Sequence, residues 1–134
     1  MATLDDVATF LQSASVGTVG ATIFKGQAPA APDAVVTLYE YGGAPPEHVG
    51  GQTAIAVEYP RIQVTVRGEP NDYAAPRALA ETAYRALAAA SNRLLGTTFY
   101  GALSPLQAPF LLRKDENDRV IVAFNIEIMK ELTA

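Results

Sequence analysis

The stretch IAVEYPRIQVTVR at positions 55–67 constrains the fold more than any other part of the sequence. Apolar and polar residues alternate along it, as in a β-strand that buries one face. The apolar face holds Ile62, Val64 and Val66. The opposite, polar face holds Arg61, Gln63, Thr65 and Arg67. Upstream, the apolar positions are Ile55, Val57 and Tyr59. Because the phase slips at Pro60, which cannot donate to a strand ladder, we expect a bulge or bend there.

Patterns on both sides of this strand predict an α+β fold. A short opening helix starts at Thr3, and a long helix runs from Asp72 to about Asn92. The apolar stripe of the long helix is Leu79, Ala83, Leu87, Ala90 and Leu94. Further strands are predicted at ATIF, at AVVTLYEY and in a hairpin made of APFLLRK, the turn DENDR and VIVAFNIEIM. The order α-β-β-β-α-β-β describes one domain, residues 1–134, with a mostly antiparallel sheet. We expect the long helix to pack across this sheet and the short helix to lie near one edge.

The composition narrows the function classes. With 49% hydrophobic and 18% charged residues, the chain is typical of globular proteins rather than disordered ones. A net charge of −4 without a basic arm disfavours strong binding to bulk nucleic acid. The absence of cysteine excludes disulfides, a thiolate nucleophile and a cysteine zinc site. The acidic start disfavours a secretory signal, and the uncharged run 94–112 is interrupted by glycine and proline, which predicts loop plus strand rather than a membrane span.

The segment EYGGAPPEHVGG, residues 40–51, is predicted to be a loop between two strands. Its glycines and prolines are Gly42, Gly43, Pro45, Pro46, Gly50 and Gly51. We expect Gly42 and Gly43 to adopt conformations closed to other residues, and the prolines to stiffen the chain after them. His48 has no orienting partner, nucleophile or second metal ligand at a suitable spacing, so we interpret it as a loop residue rather than a catalytic or metal-binding one. We expect a flexible assembly loop that becomes ordered against another subunit or protein.

Other motifs for chemistry also fail. The turn DENDR, residues 115–119, lacks the spacing and the final glutamate of a calcium loop, and no phosphate-binding glycine motif is present. The carboxylates of Glu40 and Glu58 could meet on neighbouring strands, but we expect them to pair with Arg61 or Arg67, or with another subunit. The sequence therefore predicts no catalytic residue, no cofactor and no metal site.

Tyrosine and arginine on exposed strand faces point to assembly, since both are enriched at protein interfaces. We predict that Glu40, Tyr59, Arg61 and Arg67 lie at or near a subunit boundary. In the alternative interpretation, the two arginines only solvate the outer face of the sheet.

Four segments taken together are similar to one known family. VVTLYEYGGAPPE, VEYPRIQVTVRG, DYAAPRALAETAYRAL and RVIVAFNIEI occur in that order over most of residues 1–130. The chain thereby resembles the tail terminator proteins of long-tailed bacteriophages, also described as minor capsid or tail-to-head joining proteins. The segments GQAPAAPDA at 26–34 and 96–110 match no motif and are left without a role.

The resemblance implies a virion structural protein with no enzymatic activity. Such a protein would close into a homo-hexameric ring on the head-proximal end of the tail tube and stop polymerisation of the tube protein. The ring would offer a docking face to a head completion or connector protein, and DNA would pass through its lumen. It would be assembled in the host cytoplasm, away from any membrane.

Two alternatives stay open from the sequence. One is another head-to-tail completion component with a similar small domain. The other is a small ligand-binding protein or hydrolase with Glu40, His48 and Glu58 at one cleft.

Overall fold

A computed structural model describes residues 3–48, 55–95 and 98–133. Within them, two helices and one seven-stranded sheet form an α+β domain. The helices are α1 (Thr3–Ser13) and α2 (Ala74–Ala89). The strands are β1 (Ile23–Lys25), β2 (Val35–His48), β3 (Ile55–Pro70), β4 (Ser91–Leu95), β5 (Thr98–Pro105), β6 (Phe110–Lys114) and β7 (Arg119–Thr133).

The sheet has the strand order β1-β2-β3-β7-β5-β4, and β6 also pairs with β7. Only β1 and β2 run parallel; the other described pairs are antiparallel. The two long strands β3 and β7 pair from Ile55 opposite Thr133 to Pro70 opposite Arg119. Strands β5 and β6 share the other edge of β7, since β5 pairs with 126–130 and β6 with 120–123. The predicted α+β class with a mostly antiparallel sheet is confirmed.

The core lies between the helices and the even-numbered positions of the central strands. On β3 these positions are Ile62, Val64 and Val66, and on β7 they are Val122, Phe124, Ile126 and Ile128, all at most 1% exposed. Helix α2 packs Tyr84 edge-on against Phe124, with ring centroids 5.7 Å apart. A methyl group at Gly68 would come within 2.6 Å of the Pro76 ring, so the start of α2 lies directly on β3. The alternation in β3 and β7 thus fixes which side of the sheet the helices cover.

Helix α1 is held by both apolar and polar contacts. Val7, Ala8 and Leu11 are fully buried on one face, as the predicted stripe requires. At its N-terminus, the Nζ of Lys130 donates to the hydroxyl of Thr3 at 2.7 Å and forms a salt bridge of 3.0 Å with Glu58. The opening helix is therefore fixed to the C-terminal half of the sheet.

The end of the long helix differs from the prediction. Helix α2 ends at Ala89, and β4 begins at Ser91, so Leu94 lies on a strand, where it is 68% exposed. Ala90, directly after the helix, has φ −82° and ψ 128°, an extended conformation that takes the chain out of the helical path. The apolar stripe therefore ends with Ala90. Strands β4 and β5 occupy 91–95 and 98–105, where the sequence predicted the end of the long helix and a loop.

The predicted loop at 40–51 is wrong for residues 40–48, because β2 continues through them to His48, opposite Ala56. Two irregularities in the register, between Tyr41 and Gly43 and between Ala44 and Glu47, absorb extra residues in β2. The predicted bulge thus lies in β2 opposite Pro60, and the pairing of β3 with β7 runs past Pro60 without a shift. Glycine and proline misled the prediction, since bulges tolerate both.

Two glycines carry the first of these irregularities. Gly42 and Gly43 have φ values of +28° and +150°, which confirms the expected conformations. A Cβ at Gly43 would also collide with the backbone oxygen of Tyr59 on β3. Gly50 and Gly51 lie outside the described residues.

Candidate assembly surface

One face of the sheet is covered by neither of the two described helices. This helix-free face consists of the odd-numbered positions of the three central strands β2, β3 and β7. Its cross-strand rows are Thr37–Thr65–Ala123, Tyr39–Gln63–Asn125 and Tyr41–Arg61–Glu127. None of these side chains belongs to the group of buried apolar residues that forms the core. The predicted polar face of β3 is therefore confirmed. It is one strip of a polar surface that also includes β2 and β7.

At the row Tyr41–Arg61–Glu127, the helix-free face carries both aromatic and charged side chains and is half-exposed. Arg61 forms a salt bridge of 3.0 Å with Glu127, and both side chains keep at least 31% of their surface exposed. Beside them, Tyr41 is 38% exposed, and partial burial raises the pKa of its hydroxyl, with the nearby Arg61 opposing the shift. The Oδ1 atom of Asn125 is buried without a hydrogen-bond partner. Such a mixture of tyrosine, arginine and amide groups is typical of protein interfaces.

Towards Arg67, at its opposite end, the same face forms a groove of about 620 Å³. Its floor comes from β2, β3 and β7, one wall from the segment after β1, and the other from β6. The lining residues are Gly26, Gln27, Ala28, Thr37, Tyr39, Gln63, Thr65, Arg67, Leu112, Arg113, Asp115 and Ile121. The segment 26–34, which the sequence left without a role, thus builds one side of this groove.

Arg67 holds that segment in place. Its Nε donates to the carbonyl oxygen of Asp33 at 2.8 Å, and its Nη2 donates to those of Pro29 at 2.6 Å and Pro32 at 2.8 Å. Only 8% of the residue is exposed. Burial lowers the pKa of Arg67, and the neighbouring positive charge of Arg119 lowers it further. Proline-rich segments offer free carbonyls, and the fixed fork of a guanidinium suits several of them at once.

Arg119, at the start of β7, also binds this segment. We call Arg67, Arg119 and the two carboxylates that bind Arg119 the arginine clamp. Its Nε binds Asp115 at 2.9 Å, and its Nη1 binds the Ala30 carbonyl at 2.9 Å and the Asp33 carboxylate at 3.1 Å. Burial alone would raise the pKa of Asp115, but hydrogen bonds from the Arg119 and Asn117 backbone and from the Arg119 side chain lower it overall. The DENDR turn is therefore a hairpin turn whose first and last residues bind each other, and its last residue, Arg119, also binds the segment 26–34.

An exposed apolar patch lies at the corner between β5 and β6. Its members are Leu106, Leu111 and Leu112, which are 48%, 54% and 40% exposed. Leu112 lines the groove, whereas Leu111 lies opposite Val122, on the core side of the sheet. Within the described residues, β6 pairs only with β7, so its outer edge is open. Leu106 is fixed beside β7 by a backbone hydrogen bond to Asn125. Apolar side chains on an open sheet edge favour contact with another chain, and natural proteins rarely leave them uncovered.

Most of the chain matches the sequence model of a known protein family. A sequence model described as "Bacteriophage tail terminator protein" matches residues 10–132. The chain belongs to this family. A tail terminator protein is a structural component of the phage tail, so this chain is a virion protein.

A solved structure shows the same fold. The tail terminator chain is similar to a chain in the virion of a native gene transfer agent particle, with 18% sequence identity and a TM-score of 0.69. The match covers 98% of this chain and 96% of the other. The comparison with curated proteins gave no match.

The structure separates the tail terminator residues that were candidates for acid-base chemistry. Glu40 is exposed opposite Ile62, and Glu58, four positions along β3, binds Lys130 instead. Four positions on a strand span about 13 Å, so the two carboxylates do not form a pair. The expected pairing of these glutamates with Arg61 or Arg67 is wrong, since Arg61 binds Glu127 and Arg67 binds backbone carbonyls.

In the described part of the tail terminator chain, no group of three or more histidine, aspartate or glutamate side chains could hold a metal ion. No helix within the same residues has the length and apolar character to cross a membrane.

Arg119 and Asp33 are the residues of this surface that the sequence analysis missed. The alternation of β7 did contain a signal for Arg119, because it shares the phase of Ile121 and Asn125. Nothing local marks Asp33, whose partners lie 34 and 86 positions away.

Proposed function

We propose that this protein terminates the tail. Six copies form a ring on the head-proximal end of the tail tube, stop the addition of tube protein and present a docking face to a head completion or connector protein. DNA passes through the lumen of the ring, and assembly takes place in the host cytoplasm. The family match over residues 10–132 carries this proposal.

Two surfaces of the described chain support association between copies. The leucine patch at the β5–β6 corner lies on one side of the sheet, and the exposed edge of β2 beyond Leu38 lies on the other. Contact between two different surfaces of one chain is heterologous, and it closes into a ring when the rotation between copies closes. An arrangement of this kind uses the open edges of β6 and β2.

The residues predicted at the subunit boundary fit this arrangement to different degrees. Glu40 and Arg61 are accessible near the exposed part of β2, and Glu40 has no ion-pair partner among the described residues. Tyr59 is half-buried, and Arg67 is committed to its own chain. We therefore assign Glu40 and Arg61 to direct contact with a neighbour, and Arg67 to the shape of the surface.

The test is the length of tails made with and without the protein. Tubes should be overlong in its absence and of uniform length when it is restored, as measured by electron microscopy. Native mass spectrometry of the ring released from tails should give six times the mass of one chain. A protein that stays monomeric and is absent from finished tails contradicts the proposal, and tails of normal length that fail to join heads would instead indicate another completion component.

His48→Ala provides a control for the hydrolase interpretation. The variant should restore tail length as the wild type does, because termination needs no general base. A catalytic function of His48 would require that the variant lose an activity that the wild type has.

A further inference from the structure

The groove on the helix-free face contains a buried cation that forms no salt bridge with any described residue. Arg67 lies in its lining, and the three acceptors of its Nε and Nη2 atoms are neutral backbone carbonyls. Within the described residues, its third nitrogen, Nη1, has no acceptor and no salt bridge reaches it. Burial and the positive charge of Arg119 outweigh Asp115 and Asp33, which favour the charged form of Arg67, and an anion that enters the groove would stabilise the guanidinium.

The two nearest carboxylates are already engaged. Asp33 and Asp115 bind Arg119 at 3.1 Å and 2.9 Å. The clamp therefore contains two guanidinium groups and two carboxylates, and both carboxylates bind the guanidinium that lies away from the groove lining. This asymmetry leaves the positive charge of Arg67 directed to whatever occupies the groove.

A second cation stands at the rim. Arg113 on β6 is exposed, lines the groove and makes no ion pair with any described residue. Arg67 and Arg113 both lie opposite Ile121 in the sheet. Beside this row the floor offers Thr37, Tyr39 and Gln63, whose hydroxyl and amide groups suit the main chain of an extended segment. Leu112 beside Arg113 adds an apolar contact, and 620 Å³ is within the size range of sites that enclose a ligand.

We propose that this groove binds an extended, carboxylate-bearing peptide segment of another virion protein, with one carboxylate at Arg67 and Arg113. The site deepens the proposed function by giving the chemistry of one tail partner. A nucleic acid fits less well, because a phosphate backbone needs a track of exposed cations and only Arg113 provides one here.

The test is an NMR titration of the isotope-labelled full chain with a blocked pentapeptide that contains two glutamates. The backbone amide signals of Gln27, Tyr39, Gln63 and Arg113 should shift, and the same peptide with two glutamines should bind at least about fivefold more weakly. Arg113→Gln should weaken binding of the glutamate peptide about fivefold. Arg85→Gln, which removes an exposed cation from α2, should leave the affinity unchanged.

Three results would overturn the proposal. They are equal affinity for the two peptides, shifts confined to the helical face, and larger shifts of the same signals with single-stranded thymidine oligonucleotide than with peptide. The titration needs neither a ring nor a tail tube, so its failure leaves tail termination standing. Overlong tails that the protein cannot correct would refute termination and leave peptide binding untouched.

Discussion

The hydroxyl of Tyr100 on β5 donates a hydrogen bond of 2.6 Å to the Oδ2 of Asp6 on α1, across 94 positions of sequence. Tyr100 is completely buried and Asp6 is 5% exposed. A buried carboxylate needs such a donor, because the interior offers no water to replace it. This bond and the neighbouring contacts of Lys130 with Thr3 and Glu58 fix the opening helix on the sheet.

Tyr100→Phe should destabilise the fold by about 1–3 kcal/mol, since it leaves the buried carboxylate of Asp6 without its donor while it keeps the ring. Urea unfolding followed by circular dichroism measures the loss. Tyr41→Phe, at an exposed site on the helix-free face, should change the free energy of unfolding by less than about 0.5 kcal/mol. Similar losses for the two variants would show that the Tyr100–Asp6 bond adds nothing to stability.

The same bond predicts a loss of stability in alkali. Burial raises the pKa of the Tyr100 hydroxyl well above its usual value near 10, and the bond to Asp6 and its negative charge raise it further. The unfolded phenol loses its proton above about pH 10 while the folded one keeps it. Stability is therefore complete below about pH 10 and falls as the pH rises, by up to about 1.4 kcal/mol per pH unit for this group. The gap between wild type and Tyr100→Phe in urea unfolding should shrink between about pH 9 and about pH 11; a constant gap contradicts the assignment.

Arg67 and Arg61 are a matched pair on one strand and one face, and they should respond differently to replacement. Arg67→Met should cost about 1–3 kcal/mol, because it keeps an aliphatic side chain but leaves three carbonyls of the segment 29–33 without their donor. Arg61→Met removes one half-exposed salt bridge and should cost about 0–1 kcal/mol.

Urea unfolding compares these two variants, and hydrogen exchange locates the effect. Amides near the segment 26–34 should exchange faster in Arg67→Met and at the wild-type rate in Arg61→Met. Equal losses of stability would mean that the clamp contributes no more than a surface ion pair.

The parts of the fold that sequence predicted well are those with local causes. Ile62, Val64 and Val66 alternate with polar residues because one face of β3 packs on helices, and the same logic located β7. Leu94 continued the helical stripe by spacing alone, since periodicity contains no information on where the chain becomes extended, which happens at Ala90. Gly42 and Gly43 indicated a loop because a bulge and a loop need the same backbone freedom.

The assembly surface was less predictable because its contacts are distant in sequence. The polar strip of β3 could be predicted, and so could the presence of arginine on it. That Arg67 turns inward to the segment 26–34 depends on Asp33 and Arg119, which only the folded chain brings together. Arg67 and Arg61 have similar local sequences, so only the structure shows that the first is buried and the second half-exposed.

Leu111 on β6 and Leu94 on β4 lie on two edge strands. Both strands are at the end of the sheet opposite β1. Both leucines are strongly exposed, so replacement by lysine should leave the urea midpoint of either variant near that of the wild type. The two edges differ, because Asn92 gives β4 a left-handed residue that disturbs regular pairing, and Arg93 covers Phe10 at 5.4 Å. The edge of β6, in contrast, carries the exposed side chains of Leu111 and Leu112, and the exposed Leu106 lies just before it.

If copies associate through the edge of β6, Leu111→Lys removes a buried leucine worth about 1.5–3 kcal/mol and should weaken association about ten- to hundredfold. Leu94→Lys should assemble like the wild type. Sedimentation velocity over a range of concentrations, together with counting of labelled copies on purified tails, measures both. If Leu94→Lys fails to assemble while Leu111→Lys succeeds, the neighbouring copy packs on β4, and the contact surface has been assigned to the wrong strand.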